Sequence, residues 1–189
     1  MNRAKLVLLA ATTIALVFTF TACGGSKPAS VAGFQEITTP ADEFTRMCRT
    51  ELKDYLCGVG ENTSTNTQIA RNVATANARS ELASKITVSV DEALKRSYTN
   101  TFNEEGRETV FGRLKQDIAG TFSNIDIYET KTWHDKETNK YRIFVLVAAK
   151  KDEVKNVAKD KVSNTQVLQD AAASKIFMDM IDEELNKGR

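Results

Sequence analysis

Two neighbouring stretches carry the strongest structural signal in this chain: LCGVG at residues 56–60 and ARNVATANARSELA at residues 70–83. The first predicts a short strand, from Tyr55 to Gly60, and the second predicts a strong helix. One helix face carries apolar residues spaced four apart, which form a packing ridge: Ala70, Ala74, Ala78, Leu82 and Ile86. Because the first three are alanines, another backbone can approach closely there. We expect Gly58 and Gly60 to let the strand lie against this helix.

The same two glycines, standing before a helix, also fit a nucleotide-binding loop. The third glycine of the dinucleotide fingerprint would fall at Thr63, and the sequence has no Gly-Lys-Ser/Thr of a phosphate-binding loop. We therefore interpret the glycines as packing residues, and the sequence predicts no cofactor.

A short helix is predicted upstream of the strand. It begins at Pro40-Ala41-Asp42-Glu43, where acidic side chains in the first turn favour the helix dipole. One face of this helix is apolar and carries Phe44, Met47, Cys48 and Leu52.

The segment that follows the ridge gives two conflicting signals. Alternation of Ile86, Val88 and Val90 with polar residues predicts a strand, whereas Leu94, Tyr98 and Phe102 keep helical spacing. Residues 87–102 are therefore compatible with strand, helix or both. A turn at residues 103–106 is expected next, and then a short helix whose apolar positions are Val110, Leu114, Ile118 and Phe122.

A β-hairpin is predicted in the second half of the chain. Its strands run from Ile125 to Trp133 and from Tyr141 to Ala149, around a polar loop at residues 134–140. The second strand is apolar on both faces, with Tyr141, Ile143, Val145 and Val147 on one and Phe144, Leu146 and Ala148 on the other. Such a strand is central in its sheet or covered on both sides.

The C-terminal part is predicted to be helical from Asp152, with an interruption at residues 163–165. Beyond the interruption, heptad spacing links Val167, Ala171, Ser174, Met178, Ile181 and Leu185. The seam is shorter than three heptads, so two interpretations stay open. The helix docks on its own domain, or it associates with a second copy through Val167, Ala171, Met178, Ile181 and Leu185.

These elements predict an α+β fold: a small, largely antiparallel sheet packed on a long Ala-rich helix, with an additional C-terminal helix. We divide the chain into a signal peptide at residues 1–22, a lipidated Cys23 with a flexible tether at 23–40, an α+β domain at 41–150 and a C-terminal helical segment at 151–189.

The signal peptide is predicted from Arg3 and Lys5, which precede an uncharged run from Leu6 to Phe20. At about 1.5 Å per residue this run reaches roughly 22 Å, short of the ~30 Å hydrocarbon core, so a spanning helix is the weaker interpretation. The run ends at Thr21, Ala22 and Cys23, which resemble the bacterial lipobox, although Phe20 stands where leucine is usual.

We therefore expect acyl chains on Cys23, which would anchor the protein stably. The alternatives are an ordinary signal peptide with an incidental cysteine, or an uncleaved anchor. Gly24 follows the cysteine, where an aspartate often retains lipoproteins in the inner membrane, so we expect the outer membrane.

The charge and the cysteine content of the sequence indicate which kinds of partner and which cysteine chemistry to expect. The formal net charge is +1 and there is no basic bias, which argues against nucleic acid as a partner. In an oxidising envelope, Cys48 and Cys57 either form a disulfide or remain as two buried thiols.

The one histidine, His134, stands beside Asp135 in the predicted hairpin loop. Several ligands at fixed spacing would be needed for a His/Cys metal site, and no Gly-x-Ser-x-Gly elbow accompanies the pair. We therefore predict an exposed loop histidine, no catalytic residues and no metal site: the protein is not an enzyme.

The strand 56–60, the helix 70–83, Ile86 with Val88, and the hairpin with Trp133 resemble the LPP-twenty-type lipoproteins, the family of the twenty-kilodalton membrane-associated bacterial lipoprotein. The N-terminal domain of flagellar assembly protein T and the lipoproteins of flagellar basal disks are similar. The resemblance covers roughly residues 55–150, and Arg71 and Arg79 match arginines of the family. It implies a small, non-catalytic α+β lipoprotein on the outer membrane and, in the flagellar relatives, assembly into multimers around the motor.

Two functions follow as hypotheses. The first is a structural or accessory lipoprotein that self-assembles or binds envelope partners, with a flagellar role as its narrower form. The alternative is a tethered module facing the periplasm that binds a small ligand of unknown identity in an apolar pocket near Tyr128, Trp133 and Phe144.

Overall fold

The computed structural model describes residues 30–31, 34–35, 38–97, 104–164 and 171–187. The predicted signal peptide and Cys23 lie outside the described residues. Strands β1 (Ser30–Val31) and β2 (Phe34–Gln35) pair antiparallel and belong to a separate unit that ends at Ile37. All elements described below belong to the unit that begins at Thr38.

Helix α1 spans Pro40–Thr50, as the proline and the acidic first turn predict. Thr39 caps it: the Asp42 backbone N–H donates to the Thr39 hydroxyl, and the Thr39 N–H donates to the Asp42 carboxylate at 2.8 Å. These hydrogen bonds to Thr39, the backbone one first, lower the pKa of Asp42. The capping box therefore defines the start of α1.

The central sheet is antiparallel and has three strands in the order β3-β5-β4. Strand β3 spans Tyr55–Ser64, β4 spans Ile127–Asp135 and β5 spans Lys140–Lys150. The prediction that the second hairpin strand is central is confirmed. The hairpin loop is shorter than predicted, because His134, Asp135 and Lys140 pair within the strands.

Strand β3 runs four residues beyond its predicted end at Gly60. Residues Glu61 to Ser64 are polar, yet they pair with Phe144 to Tyr141 of β5. Arg142 contributes to this end of the sheet, since one of its guanidinium nitrogens donates to both carboxylate oxygens of Glu61 at 3.0 Å. Pairing with β5 thus continues the strand through a polar segment.

The two faces of β5 pack against different helices, as its apolar pattern predicts. On one face Ile143, Val145, Val147 and Ala149 join the main core, which includes the ridge of α2 (Thr67–Ser97). On the other face Phe144 and Leu146 pack with Phe44 of α1, Leu52 and Cys57. This arrangement is the predicted α+β fold, with a long Ala-rich helix against a small antiparallel sheet.

The strand predicted from Ile86 to Val90 is wrong, because α2 continues as a helix to Ser97. Ile86 and Val90 are four residues apart, so they fit the four-residue spacing of the helix ridge as well as the two-residue alternation of a strand. Both are fully buried and continue the ridge. Val88 alone distinguishes the two patterns, and its side chain is 58% exposed. Residues 98–102 lie outside the described part of the chain.

The turn predicted at residues 103–106 is also wrong where it is described, since α3 begins at Glu104 and spans Glu104–Thr121. The glycine at position 106 does not end the helix. Further along α3, the predicted apolar positions Leu114 and Ile118 are buried in the core, as is Phe122 just beyond it.

Two helices follow the sheet: α4 (Lys151–Ser163) and α5 (Ala171–Asn186). Ser163 is still helical, so the interruption predicted at residues 163–165 is confirmed at Asn164, the C-cap of α4, and Thr165 lies outside the described residues. Both helices contribute to the main core, α4 through Val154, Ala158 and Val162 and α5 through Phe177, Ile181 and Leu185.

Candidate functional site

The close approach of α2 and β3 shapes the surface around it. A β-carbon on Gly58 would lie 2.0 Å from the Ala78 carbonyl oxygen, and one on Gly60 would lie 2.1 Å from the Ala74 carbonyl oxygen. No real side chain fits at such distances, so only glycine allows this approach. The interpretation of the two glycines as packing residues is therefore confirmed.

Polar side chains of α2 bind the outer edge of β3. The Asn77 amide donates to the Glu61 carbonyl at 3.0 Å, the Val59 N–H donates to the Glu81 carboxylate at 2.8 Å, and the Lys85 ammonium donates to the Cys57 carbonyl at 2.8 Å. Four residues of a helix rise about 6 Å along its axis, and two residues of a strand rise about 6.6 Å. Side chains four apart on α2 therefore reach backbone groups two apart on β3. Side chains of α2 thus satisfy backbone groups that an edge strand leaves unpaired.

A cleft of about 680 Å³ lies along this edge, between α1 and α2. Its apolar lining comes from Leu56, Val59, Val88, Leu185 and the Cys48–Cys57 pair, and its other members include Tyr55, Ser84 and Ser89. The volume falls within the range of about 300–1,000 Å³ that small-molecule sites occupy. The aromatic residues predicted to line a pocket, Tyr128, Trp133 and Phe144, are not among the lining residues.

Cations predominate around the cleft: Arg49, Lys53, Lys85 and Lys151 line it, with two carboxylates, Glu81 and Glu184. Both carboxylates have cationic partners. Glu81 pairs with Lys85 at 2.6 Å. Glu184 binds Lys187 and also Arg96, at 2.6 Å, and its hydrogen bond to Lys187, with that to Arg96, lowers its pKa despite opposing desolvation. The remaining positive charge is concentrated on the α1 side.

A disulfide forms part of the cleft wall. Cys48 of α1 and Cys57 of β3 are bonded, with their α-carbons 6.2 Å apart. Of the two states that the sequence left open, the structure contains the bonded one. The bond ties α1 to the outer strand of the sheet and so holds two walls of the cleft together.

A second surface lies at the opposite edge of the sheet, on β4. In the described part of the chain no strand pairs with the outer side of β4. The exposed apolar residues Ile127, Tyr128 and Trp133 lie along this strand. Trp133 is 48% exposed, and its ring contacts Phe144 edge-on with 5.6 Å between the centroids.

The pairing register indicates which backbone groups of β4 face outward. Antiparallel residues alternate in the direction of their backbone groups. On β3, the backbone groups of Cys57 and Val59 bond to side chains of α2 and therefore point away from β5. Followed through the pairing registers on both sides of β5, this alternation directs the backbone N–H and C=O groups of Glu129 and Lys131 toward β5. Thr130 and Thr132 therefore direct their N–H and C=O groups outward.

His134 and Asp135 stand at the end of β4, beside the hairpin turn. The His134 ring stacks on Tyr141 with 4.4 Å between centroids and lies 3.2 Å from the Asn139 side-chain oxygen. Asp135 accepts hydrogen bonds from Thr138, and these, with one from the Glu137 N–H, lower its pKa. His134 is exposed, as predicted, and both residues hold the turn together.

The two arginines singled out on α2 occupy different environments. Arg79 donates two hydrogen bonds to the Ile125 carbonyl, at 3.0 and 2.8 Å, and so joins α2 to the segment before β4. Arg71 is exposed on the surface of α2. The structure does not bring them to a shared site.

The residues predicted for self-association face the chain's own core. Ile181 and Leu185 are buried, and Met178 packs against the core cluster. Val167 lies outside the described residues, as does the side chain of Ala171. The structure therefore corresponds to the interpretation in which this helix docks on its own domain. Phe177, which is not part of the heptad pattern, is the largest fully buried residue of α5.

Two further observations concern the described residues alone. They contain no group of three or more His, Cys, Asp or Glu side chains placed to hold a metal ion. Among their helices, none combines the length with the apolar character needed to cross a lipid bilayer.

No family model matches the chain, and no curated protein matches it in sequence.

Proposed function

We propose that this chain is a non-catalytic lipoprotein, anchored to the outer membrane through acyl chains on Cys23, whose domain binds an envelope protein or a second copy. The sequence supports the anchor through its basic start, its apolar run and Thr21-Ala22-Cys23. The resemblance to the LPP-twenty-type lipoproteins supports the same location and a structural or accessory role.

The contrast between the two sheet edges carries the partner-binding part of the proposal. Side chains of α2 cover the edge of β3, whereas no described strand pairs with the outer side of β4. Unpaired backbone groups of an edge strand form a template for another strand. The register shift between Ile127 and Glu129 leaves Glu129–Asp135 as the regular part of that template.

Apolar side chains beside the template add a second reason. Trp133 and Tyr128 are 48% and 53% exposed. Tyrosine and tryptophan are enriched at protein interfaces, because each buries a large area and also carries a polar group. We therefore expect the partner to cover Trp133 together with the β4 edge.

The anchor is tested by replacing Cys23 with serine. We expect the wild-type protein to incorporate radiolabelled palmitate and to float with outer-membrane vesicles in a density gradient. We expect Cys23→Ser to lose the label and to leave the membrane fraction. A wild-type protein without label would contradict the anchor.

The β4 edge is tested by comparing Thr132→Pro with Thr132→Val. Proline removes an outward N–H without removing a β4–β5 hydrogen bond, whereas valine keeps the backbone donor. We expect a multimer, measured by light scattering on residues 24–189, or a protein cross-linked in the envelope, to persist with Thr132→Val and to be lost with Thr132→Pro. Equal unfolding midpoints of the two variants would exclude a folding defect. A monomer with no partner at any concentration would contradict the proposal.

A flagellar role is the narrower form of this proposal and rests on the resemblance alone. Normal swimming and intact motors in a deletion strain would exclude it without affecting the anchor or the β4 interface.

The cleft favours a second candidate function, a tethered module that binds a small ligand in the periplasm. Its volume of about 680 Å³ and its combination of apolar lining with polar side chains are typical of ligand sites. Saturable binding of one small molecule per chain would support this function.

A further inference from the structure

We propose that the cleft between α1 and α2 binds a small anionic amphiphile, a molecule with an apolar body and one carboxylate or phosphate group. This inference rests on the second candidate function, and it names the place and the chemical class of the ligand.

The apolar part of the ligand would lie against the middle of α2 and the disulfide. Val88 lines the cleft, and its side chain is 58% exposed and so available to a ligand. Leu56 and Val59 of β3 and the Cys48–Cys57 bond contribute further apolar surface. Covering these side chains would remove apolar area from water, which favours binding of a hydrocarbon body.

The anionic group would be recognised by Arg49 and Lys53. Among the described residues, neither side chain has a hydrogen-bonded or ion-paired partner, and both are exposed at the α1 end of the cleft. The two carboxylates of the lining do not neutralise them, because Glu81 is bound by Lys85 and the Val59 N–H, and Glu184 by Arg96 and Lys187. A ligand anion would therefore meet uncompensated positive charge.

The carboxylate or phosphate could belong to a free fatty acid or to an anionic phospholipid. Both share a charged head and an acyl chain, and a domain held near a bilayer would meet either. We assign the cleft to one ligand molecule taken up whole, and contact with an intact membrane surface is an outcome that the experiment distinguishes.

The test uses residues 24–189, which retain every described element, and two fluorescent probes. The probes are 1-anilinonaphthalene-8-sulfonate, an apolar anion, and N-phenyl-1-naphthylamine, which has the same rings without the sulfonate. We expect saturable binding of one sulfonate probe per chain, at least about fivefold tighter than the neutral probe, and displacement by laurate but not by dodecanol.

Matched variants locate the site. We expect Arg49→Gln/Lys53→Gln to weaken binding of the anionic probe about fivefold and to leave the neutral probe unaffected. The control, Arg46→Gln/Arg113→Gln, removes two exposed charges elsewhere and should change neither. Val88→Gln should weaken both probes, whereas Val73→Gln, at a 39% exposed valine of the same helix outside the cleft, should weaken neither.

Equal unfolding midpoints of the variants would show that they are folded, so that a change in probe binding reports on the cleft. Equal binding of both probes, lost in Val88→Gln but not in the charge variant, would overturn the anionic class and leave the ligand-binding function. Absence of saturable binding would overturn both. Flotation with phosphatidylglycerol vesicles, but not with phosphatidylcholine vesicles, without displacement by laurate, would replace the cleft ligand with a membrane surface and overturn the inference.

Discussion

At Gly60, a β-carbon would lie 2.1 Å from the Ala74 carbonyl oxygen and 2.3 Å from the Ala78 backbone nitrogen. Both neighbours are backbone atoms of α2, so neither can move aside without shifting the helix. The same helix places Asn77, Glu81 and Lys85 on the β3 edge. Single residues therefore set the distance between α2 and β3, and the edge contacts depend on that distance.

We expect Gly60→Ala to lower the free energy of unfolding by about 2–3 kcal/mol, because the added methyl group forces α2 away from β3. The matched control is Gly112→Ala in α3, where a β-carbon would meet no atom within 4 Å. Alanine should raise the stability there by about 0.5–1 kcal/mol, since it is the better helix former. Urea unfolding of both variants measures the difference. Equal stabilities of Gly60→Ala and the wild type would contradict the close approach.

Asp91 links two helices through charge. It lies 2.5 Å from Lys115 of α3 and 2.6 Å from Lys95 of its own helix. Desolvation by itself would raise the pKa of Asp91, but the hydrogen bonds and charges of the two lysines outweigh it, and the net effect lowers the pKa. The ionised carboxylate therefore stabilises the folded state.

This lowered pKa predicts how stability depends on pH. The contribution is complete above the unfolded pKa of about 3.9 and is lost as the pH falls through the lower folded pKa. We expect Asp91→Asn to lower the free energy of unfolding by roughly 1 kcal/mol at pH 7, a gap that shrinks below about pH 4. Chemical unfolding across pH 2–7 measures it. Asp117→Asn, on the exposed side of α3, is the control, and a gap for Asp91→Asn that is constant with pH would contradict the prediction.

Helix α1 is joined to the sheet by a covalent bond. Phe44 of α1 lies in the core and Met47 packs against it, and the disulfide and an ion pair between Glu43 and Lys131 also join the helix to the sheet. Lys131 also lies over the Phe44 ring, 5.4 Å from its centroid. Because α1 forms one wall of the cleft, the disulfide affects the shape of the candidate site as well as stability.

We expect reduction of Cys48–Cys57 to lower the free energy of unfolding by about 2–3 kcal/mol, since the bond closes a short loop with a sequence separation of 9. Urea unfolding with and without reductant measures the effect. Cys48→Ala/Cys57→Ala is the control and should not respond to reductant. Two free thiols titrated in the unreduced, folded protein would contradict the bond.

The C-terminal helix α5 contributes to the main core of the domain. Helix α5 packs on α2 through Phe177, Ile181 and Leu185, and Arg96 of α2 bonds to Glu183 and Glu184 of α5 at 3.0 and 2.6 Å. Hydrogen bonds to Glu183 and Glu184 raise the pKa of Arg96 further above its ordinary range. The segment beyond Lys150 therefore belongs to the core of the domain.

We expect Ile181→Asp to lower the free energy of unfolding by about 4 kcal/mol or more, because it places a charge in the core without a partner. Ile176→Asp, at a 46% exposed position of the same helix, should change stability by less than about 0.5 kcal/mol. Thermal unfolding of both variants tests this. A change in solution mass at unaltered stability for Ile181→Asp would return this helix to the role of an association interface.

Local patterns by themselves determined much of this fold. Four features could be predicted because each depends on the residues of one segment alone. They are the ridge from Ala70 to Ile86, the glycines of β3, the two-sided apolar pattern of β5 and the proline at the start of α1. The α+β class and the close helix–strand packing followed from them. The end of α2 did not, because Ile86 and Val90 satisfy both a two-residue and a four-residue period, and only burial of those two with exposure of Val88 separates the alternatives.

The tertiary structure alone decided the sites. The cleft joins α1, β3, α2 and the end of α5, and its charge depends on which carboxylates already have partners. The outer side of β4, with which no described strand pairs, likewise results from the central position of β5 in the sheet. Helix α5 docks inward because Phe177, Ile181 and Leu185 meet the ridge of α2. Such properties arise from residues far apart in the chain, so no single segment of the sequence contains them.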